Sequence, residues 1–514
     1  MTFRAQRLLP SIALLAATWL ALFPISSVDA YYHLATGRRI LDDRAIPARG
    51  VGSATFGLRP WHDNEWGFQV LAAAVGRAEK EPGGVLVLTP WGRVGLIAMR
   101  AAALAATLAL LAATMARLAA GPFLRASLVW LAAFLTFGNL FWDVRPQIVS
   151  YVALAAVAFL LERAREGWRF ALPACLAVIA LWANVHGAVV VGVGLIACEA
   201  MGEWIEVGRG GSHRGRAWRL SATALCAPLA AAFNPLGVQQ LVHPFVYWSR
   251  PEIHAGNNEW ARPDLLHLPL LVATFGLLAI AVIAGARLRP AHVLRLLVFG
   301  GLFLSAIRHL PLVAIVAVPV LAGALTQAAR GEGWRRCLDP DAAAWGAGAK
   351  RAVLVAALAA AIVFGSGAKF IGFVPSFEER PTRVLPEAHV RFLAANAVPG
   401  NGFNAYRFGG FLMFRLYPQE RVFMDGRNDL YGTFREEVYN RILFAEPGWS
   451  EAWDDAVARY DLGWVLVDAT DPLASALARS PRWRRISDEE LSDDPRFNAD
   501  GIVLFVHADT KTSS

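Results

Sequence analysis

Cysteine is scarce: the 514 residues contain four, Cys175, Cys198, Cys226 and Cys337. Three lie in or beside apolar runs and none follows Cys337. That spacing excludes a disulfide framework and a zinc-type ligand set. The chain also lacks a Walker sequence, and no Gly-x-Gly-x-x-Gly run sits between a strand and a helix, so no nucleotide site is indicated. No two-half repeat is visible, which counts against a transporter. The net charge of +8 is carried almost wholly by arginine. Those arginines fall in short loops between apolar runs, so they read as topology signals and not as a nucleic-acid surface.

What the chain has in quantity is apolar length. It is 56% hydrophobic, with a mean hydropathy of +0.41. Repeated runs near spanning length indicate a polytopic α-helical membrane protein of about eleven transmembrane helices. The expected spans are Leu8–Val28, Val94–Met115, Ala126–Phe141, Ile148–Leu161, Ala171–Ala183, Ala188–Met201, Leu220–Phe233, Leu268–Ala286, Leu294–Ile307, Pro311–Ala328 and Ala352–Gly367. Arg4 and Arg7 ahead of a run ending in Val28-Asp29-Ala30 imitate a secretory leader, but the many later spans favour an uncleaved first helix. Counting loop arginines puts the N-terminus in the cytoplasm. Apart from the long first loop, only Arg145, Arg250, Arg262 and Arg308 then lie outside.

Under that topology the groups able to do chemistry gather on one side. The stretch Asp29–Trp66 carries Asp29, His33, His62, Asp63 and Glu65 among Tyr31, Tyr32, Trp61 and Trp66. A helix is expected over Tyr31–Leu41 and a short one over Glu65–Gly76. The other outer loops contribute Asp143, Arg145 and Gln147, then Asn184 and His186, then His243, Glu252, His254, Asn257, Asn258 and Glu259, then Arg308 and His309. One-sided concentration of such groups is what a site at a membrane surface requires. Taken singly, Arg145 or Arg308 would equally serve by snorkelling at a helix end. Asn184 and His186 would serve by capping or bridging helices.

From Lys369 the character changes to mixed charge and short apolar runs. The division expected is a membrane domain over residues 1–368, with a first outer loop at 29–93, and an extracytoplasmic α/β domain over 369–514. Strands are expected at Val422–Met424, Trp464–Val467 and Ile502–Val506. Helices are expected at Glu387–Asn396, Gly409–Leu416 and Ser450–Ala458. Asp425-Gly426-Arg427 reads as a turn closed by an Asp–Arg pair.

Taken together, Asp29 at the outer end of the first span, Tyr31-Tyr32, Ile46-Pro47, Gly57 to Trp66, the helix to Gly76 and Arg93 resemble the first outer loop of the GT-C membrane glycosyltransferases. The branch is the one with aminoarabinose, galacturonosyl and protein mannosyl transferases, and within it a bacterial subgroup with a Gly-Gly…Tyr-Pro…Asp-Gly-Arg run. Ala30 stands where the family has Glu, and Asp63-Asn64-Glu65 replaces Lys-Pro-Pro. The resemblance implies a polyprenyl-phosphate-sugar donor, an extracytoplasmic acceptor, inversion at the sugar carbon and a place in the bacterial inner membrane. Asp29 is then the base, with Asp63 and Glu65 as alternatives, and these three carboxylates would also permit a divalent cation. Arg145, Arg308, His309 and His254 are the candidates to hold the leaving phosphate. His33 would orient Asp29, and His62, His186 and Glu259 complete the donor-binding set. Two other classes compete: a non-catalytic partner in envelope assembly, and a transporter of lipid-linked sugar.

Overall fold

The computed structural model describes residues 3–328 and 385–510, apart from residues 20, 23, 24, 26, 119, 138–142, 212, 251–257, 264–267, 284, 419–420 and 492–500. The chain forms two compact units. One holds Met1–Phe23, Ile97–Phe245 and Gly256–Pro375; the other holds Pro24–Leu96, Val246–Ala255 and Ser376–Ser514. The first loop thus shares a unit with the C-terminal segment.

The first unit is helical. It contains α1 (Phe3–Trp19), the body of α4 (Pro90–Arg117), α5 (Pro122–Phe137), α6 (Gln147–Arg165), α7 (Ala171–Ala183), α8 (Val189–Gly208), α9 (Arg214–Ala231), most of α10 (Gln239–Trp248), α11 (Leu268–Ile283), α12 (Pro290–Ser305) and α13 (Leu310–Ala328). Helix α13 is buried along almost its whole length and forms the centre. Among the described residues three helices are long and apolar enough to cross a membrane: Pro90–Arg117, Gln147–Arg165 and Ile307–Ala328. Several of the other expected spans are helices of 13 to 16 residues. At about 1.5 Å per residue these cover less than the ~30 Å of hydrocarbon. The expected span Ala352–Gly367 lies outside the described residues. The first span is also shorter than expected. It ends at Trp19, and Asp29 opens a separate helix instead of ending the first one.

Several of the arginines that the charge count assigned to the cytoplasm are neutralised by buried acids. Arg289 and Arg295 both pair with Glu199, Arg216 pairs with Glu203, and Arg289 lies 3.3 Å from Glu162. Glu162, Glu199 and Glu203 are buried. Their acids lie inside the expected spans or just after them, where hydropathy averaging hides single charges among apolar neighbours.

In the second unit α2 (Asp29–Asp43) packs against α3 (Trp66–Val75) and against α15 (Gly409–Arg415), which follows α14 (Glu387–Asn396). A hairpin of β1 (Ala78–Lys80) and β2 (Leu86–Leu88) closes the first-loop part. The C-terminal part holds a mixed sheet of order β3-β4-β6-β5: β3 (Asn401–Asn404), β4 (Leu462–Asp468), β5 (Trp483–Arg485) and β6 (Ile502–His507). Strand β4 runs parallel to β3 and antiparallel to β6. Leu-Gly-Trp-Val-Leu-Val is apolar without alternation because β4 is central and covered on both faces. Helix α16 (Trp449–Tyr460) packs on it, and Trp453 meets Phe403 edge-on at 5.5 Å.

The expected strand Val422–Met424 is reduced to isolated parallel bridges at Val422, one to Gly402 of β3 and one to Ser53. The Phe423 N–H donates to the Gly402 carbonyl at 3.0 Å. The Asn404 side chain adds to this backbone pairing: its Oδ1 accepts the Phe423 N–H at 2.9 Å and its Nδ2 donates to the Met424 carbonyl at 2.8 Å. That satisfies the buried backbone where the pairing stops after one residue.

Candidate active site

Helix α2 positions the first set of groups. Asp29 is its first residue and is half-buried, with its N–H toward Ser27 Oγ at 3.3 Å. Positions three and four residues on, Tyr32 and His33, share its face. Tyr32 donates its hydroxyl proton to Glu65 Oε2 at 2.9 Å, and His33 Nδ1 lies 3.8 Å from the same oxygen. His33 stacks on Tyr32 and meets Phe68 edge-on at 5.3 Å. Glu65 is therefore tied to α2, whereas His62 is exposed. Ala30, where the resemblance has Glu, is buried.

Asp63 sits deeper. Its Oδ1 accepts the Glu65 N–H at 3.2 Å and the Gln69 amide at 3.0 Å, while Oδ2 is buried without a partner among the described residues. Burial pushes its carboxyl up to about 8, and the neighbouring Glu65 charge adds to the rise. At neutral pH Asp63 is thus a protonated supporting group, not a carboxylate base. A group whose folded pKa is raised binds its proton more tightly when folded, so it weakens the fold as pH climbs from about 4 to about 8. Asp63→Asn keeps the acceptor oxygen and removes the titration. Its melting midpoint is expected to differ least from wild type near pH 4 and to exceed it most near pH 8.5, as a pH series of thermal melts would report.

The C-terminal segment reaches the same face of α2. A Cβ at Gly426 would stand 3.0 Å from Asp29 Oδ1 and 3.3 Å from the Tyr32 ring, so the turn's backbone runs alongside the carboxylate. A Cβ at Gly409 would meet the Met424 carbonyl at 2.1 Å, so only glycine lets α15 lie against the approach to that turn. The turn is closed as the sequence suggests. Arg427 donates from Nε and Nη2 to the two Asp425 oxygens at 2.8 and 2.6 Å, and Tyr431 donates to Asp425 Oδ2 at 2.6 Å. Arg427 also donates to the Val51 carbonyl at 3.0 Å and lies over Trp61 at 5.0 Å. Burial raises the Asp425 carboxyl, but the Arg427 charge and the hydrogen bonds from Arg427 and Tyr431 reverse this and leave it below the usual range. Tyr406, Asn428 and Tyr431 were not anticipated here. Their only signal was sequence proximity to the Gly-Gly and Asp-Gly-Arg runs.

Asp29, Asp63 and Glu65 do not form a metal cradle. Glu65 is engaged by Tyr32 and His33. Among the described residues no group of three or more His, Cys, Asp or Glu is arranged to hold an ion.

The first unit gathers a second set. Arg145 pairs with Glu259, Arg308 lies over the Trp260 ring at 4.6 Å, and Trp260 meets His309 edge-on at 6.2 Å. His309 Nδ1 donates to the Leu302 carbonyl at 2.7 Å. His186 Nδ1 is 2.7 Å from Ser150 Oγ, which accepts the Trp182 indole N–H at 2.7 Å. Asn184 bridges helices, donating to the Ala180 and Phe233 carbonyls at 2.8 and 2.9 Å. Asp143 is taken up by a buried pair with Arg100 at 3.0 Å. His254, Glu252 and Asn257 lie outside the described residues.

No family model and no curated protein matches the sequence. Solved structures do match. The oligosaccharyltransferase AglB of Archaeoglobus fulgidus, in complex with an inhibitory peptide and a dolichol-phosphate, superposes over 90% of this chain and 69% of its own, at TM-score 0.56 and 10% identity. ArnT of Cupriavidus metallidurans bound to undecaprenyl phosphate superposes over 99% of both chains, at 0.51 and 14%. The fold is that of the GT-C glycosyltransferases. The mycobacterial arabinofuranosyltransferase AftD has the same GT-C fold, with 99% of this chain covering 40% of its length at TM-score 0.57 and 14% identity. The resemblance drawn from the first loop and the likeness in three dimensions thus point to the same fold.

Proposed function

We propose that this chain is a GT-C-type transferase that moves a sugar from a polyprenyl-phosphate donor to an acceptor hydroxyl or amine, with inversion. The observation that carries the reading is the GT-C fold together with a half-buried carboxylate, Asp29, at the start of α2, flanked by the glycine of the Asp-Gly-Arg turn. AglB and ArnT were solved with dolichol-phosphate and undecaprenyl phosphate respectively, which supports a lipid phosphate as the donor's carrier here.

In the proposed step the acceptor oxygen or nitrogen attacks the sugar's anomeric carbon. The bond from that carbon to the phosphate oxygen breaks, and its electron pair leaves on the polyprenyl phosphate. The acceptor's proton passes to Asp29, the group that half-burial leaves accessible. Charge grows on the leaving phosphate, and Arg145 and Arg308 are the cations proposed to hold it. Glu259 occupies Arg145 as the carboxylate that a phosphate would replace. Residues 369–514 are proposed as the part that presents the acceptor.

The test is binding of undecaprenyl phosphate to the full chain in lipid nanodiscs. Wild type is expected to bind, and Arg145→Ala to bind about 10- to 100-fold more weakly, the range for losing one charge-assisted hydrogen bond. Equal affinity of the two proteins would remove Arg145 from the donor site. No binding by either would count against the transferase reading as a whole.

A further inference from the structure

Arg435 opens a π-helical turn, Arg435–Asn440. Such turns are rare and recur at functional sites. Its guanidinium carbon lies 4.5 Å from the centre of the Tyr406 ring. The residue is held at main chain and ring tip: the Tyr406 backbone N–H donates to Tyr439 Oη at 2.6 Å and its hydroxyl donates to Asn428 Oδ1 at 3.0 Å. Stacking orients the guanidinium but satisfies none of its five donors. Among the described residues Arg435 makes no hydrogen bond or ion pair, and its Nε is buried without an acceptor.

Three nearby carboxylates are already engaged. Glu436 accepts from the Asn440 amide at 2.7 Å, Asp468 holds Arg407, and Asp471 accepts the Asp468 N–H at 3.0 Å. A half-buried cation on a rigid platform with no paired anion among the described residues is a poor structural element and a good receptor. Burial raises the Tyr406 hydroxyl's pKa, the Asp29 charge raises it further, and Arg435 opposes the rise, so both charges act on one ring.

We infer that Arg435, stacked on Tyr406 beside Asn428, is a subsite for an anionic substituent, a carboxylate or a phosphate, carried by the acceptor. That the substituent belongs to the acceptor rests on the proposal that Asp29 takes the acceptor's proton. The anion site itself does not. The fork geometry of arginine suits either oxyanion in two parallel hydrogen bonds, which a neutral hydroxyl cannot match.

The experiment measures binding of methyl glucuronide, glucose 6-phosphate and methyl glucoside to the full chain in nanodiscs by saturation-transfer NMR. At least one anionic probe is expected to bind about tenfold tighter than the neutral glucoside. Arg435→Gln should erase that preference, while Asp29→Asn and Arg145→Ala should retain it. Retention in Asp29→Asn separates this subsite from the transfer reaction, so failure of either proposal is seen on its own. No preference in wild type, a preference that survives Arg435→Gln, or one that disappears with Arg145→Ala overturns the subsite. Should Arg435→Gln not fold, Arg435→Lys is read instead, since it keeps the charge and loses the fork. A reduced preference there supports the subsite and an unchanged one overturns it.

Discussion

Asp29→Asn is expected to lower transfer by about 10²- to 10⁴-fold, the range for removing a general base. Asparagine keeps the size and one acceptor oxygen, so it fits the space beside Gly426 as the carboxylate does. Lipid-phosphate affinity should stay within about twofold, because the donor's cations are proposed to be Arg145 and Arg308. The check is single-turnover transfer of radiolabelled sugar from a polyprenyl-phosphate donor, run beside nanodisc binding. A variant that transfers at the wild-type rate would dismiss Asp29 as the base. A variant that loses binding and transfer equally would make it a structural residue.

Arg427→Leu should have the largest effect on stability. It would leave the Asp425 carboxylate buried with only the Tyr431 hydroxyl as a side-chain donor, and would release the Val51 carbonyl and the Trp61 face together. Breaking a buried pair from one side costs about 3–5 kcal/mol, a large part of the 5–15 kcal/mol that typically holds a folded unit. For a unit of this size the melting midpoint should fall by about 10 °C. Replacing both partners, Asp425→Leu with Arg427→Leu, should recover much of the loss, because an apolar pair strands no charge. Differential scanning fluorimetry of the three proteins decides the matter. A single variant as stable as wild type would mean that the pair contributes no net stability.

The sequence was most legible where periodicity is long and local. The helix at Glu387–Asn396 and the helix at Ala171–Ala183 have the bounds that their apolar spacing suggests. The Asp425–Arg427 closure was also readable, because two residues in a tight turn have few other partners. It was less legible where one residue answers another far along the chain. Asn404 extends a one-residue bridge by bonding a segment about twenty residues later, and no pattern in Val422–Met424 announces that. Asp63 and Asp29 look alike as carboxylates in one loop. Their burial differs: Asp63 is buried and accepts the Gln69 amide of α3, whereas Asp29 is half-buried, which composition does not encode. Three of the arginines read as topology charges, Arg216, Arg289 and Arg295, are paired with Glu203 or with Glu162 and Glu199, which lie on other helices.

The second unit is assembled from pieces separated by about 280 residues, between Leu96 and Ser376. During synthesis at roughly 5–20 residues per second, the first piece waits about a quarter of a minute to a minute for the last. Over that interval the α2 face that meets Phe411 and Phe414 through Tyr31, and that lies against Gly410 and Gly426 at Tyr32, has no cover. A ribosome stalled between those two points would therefore display a sticky, half-built surface. Protease sensitivity of α2 in such arrested chains should vanish only once Arg427 has emerged.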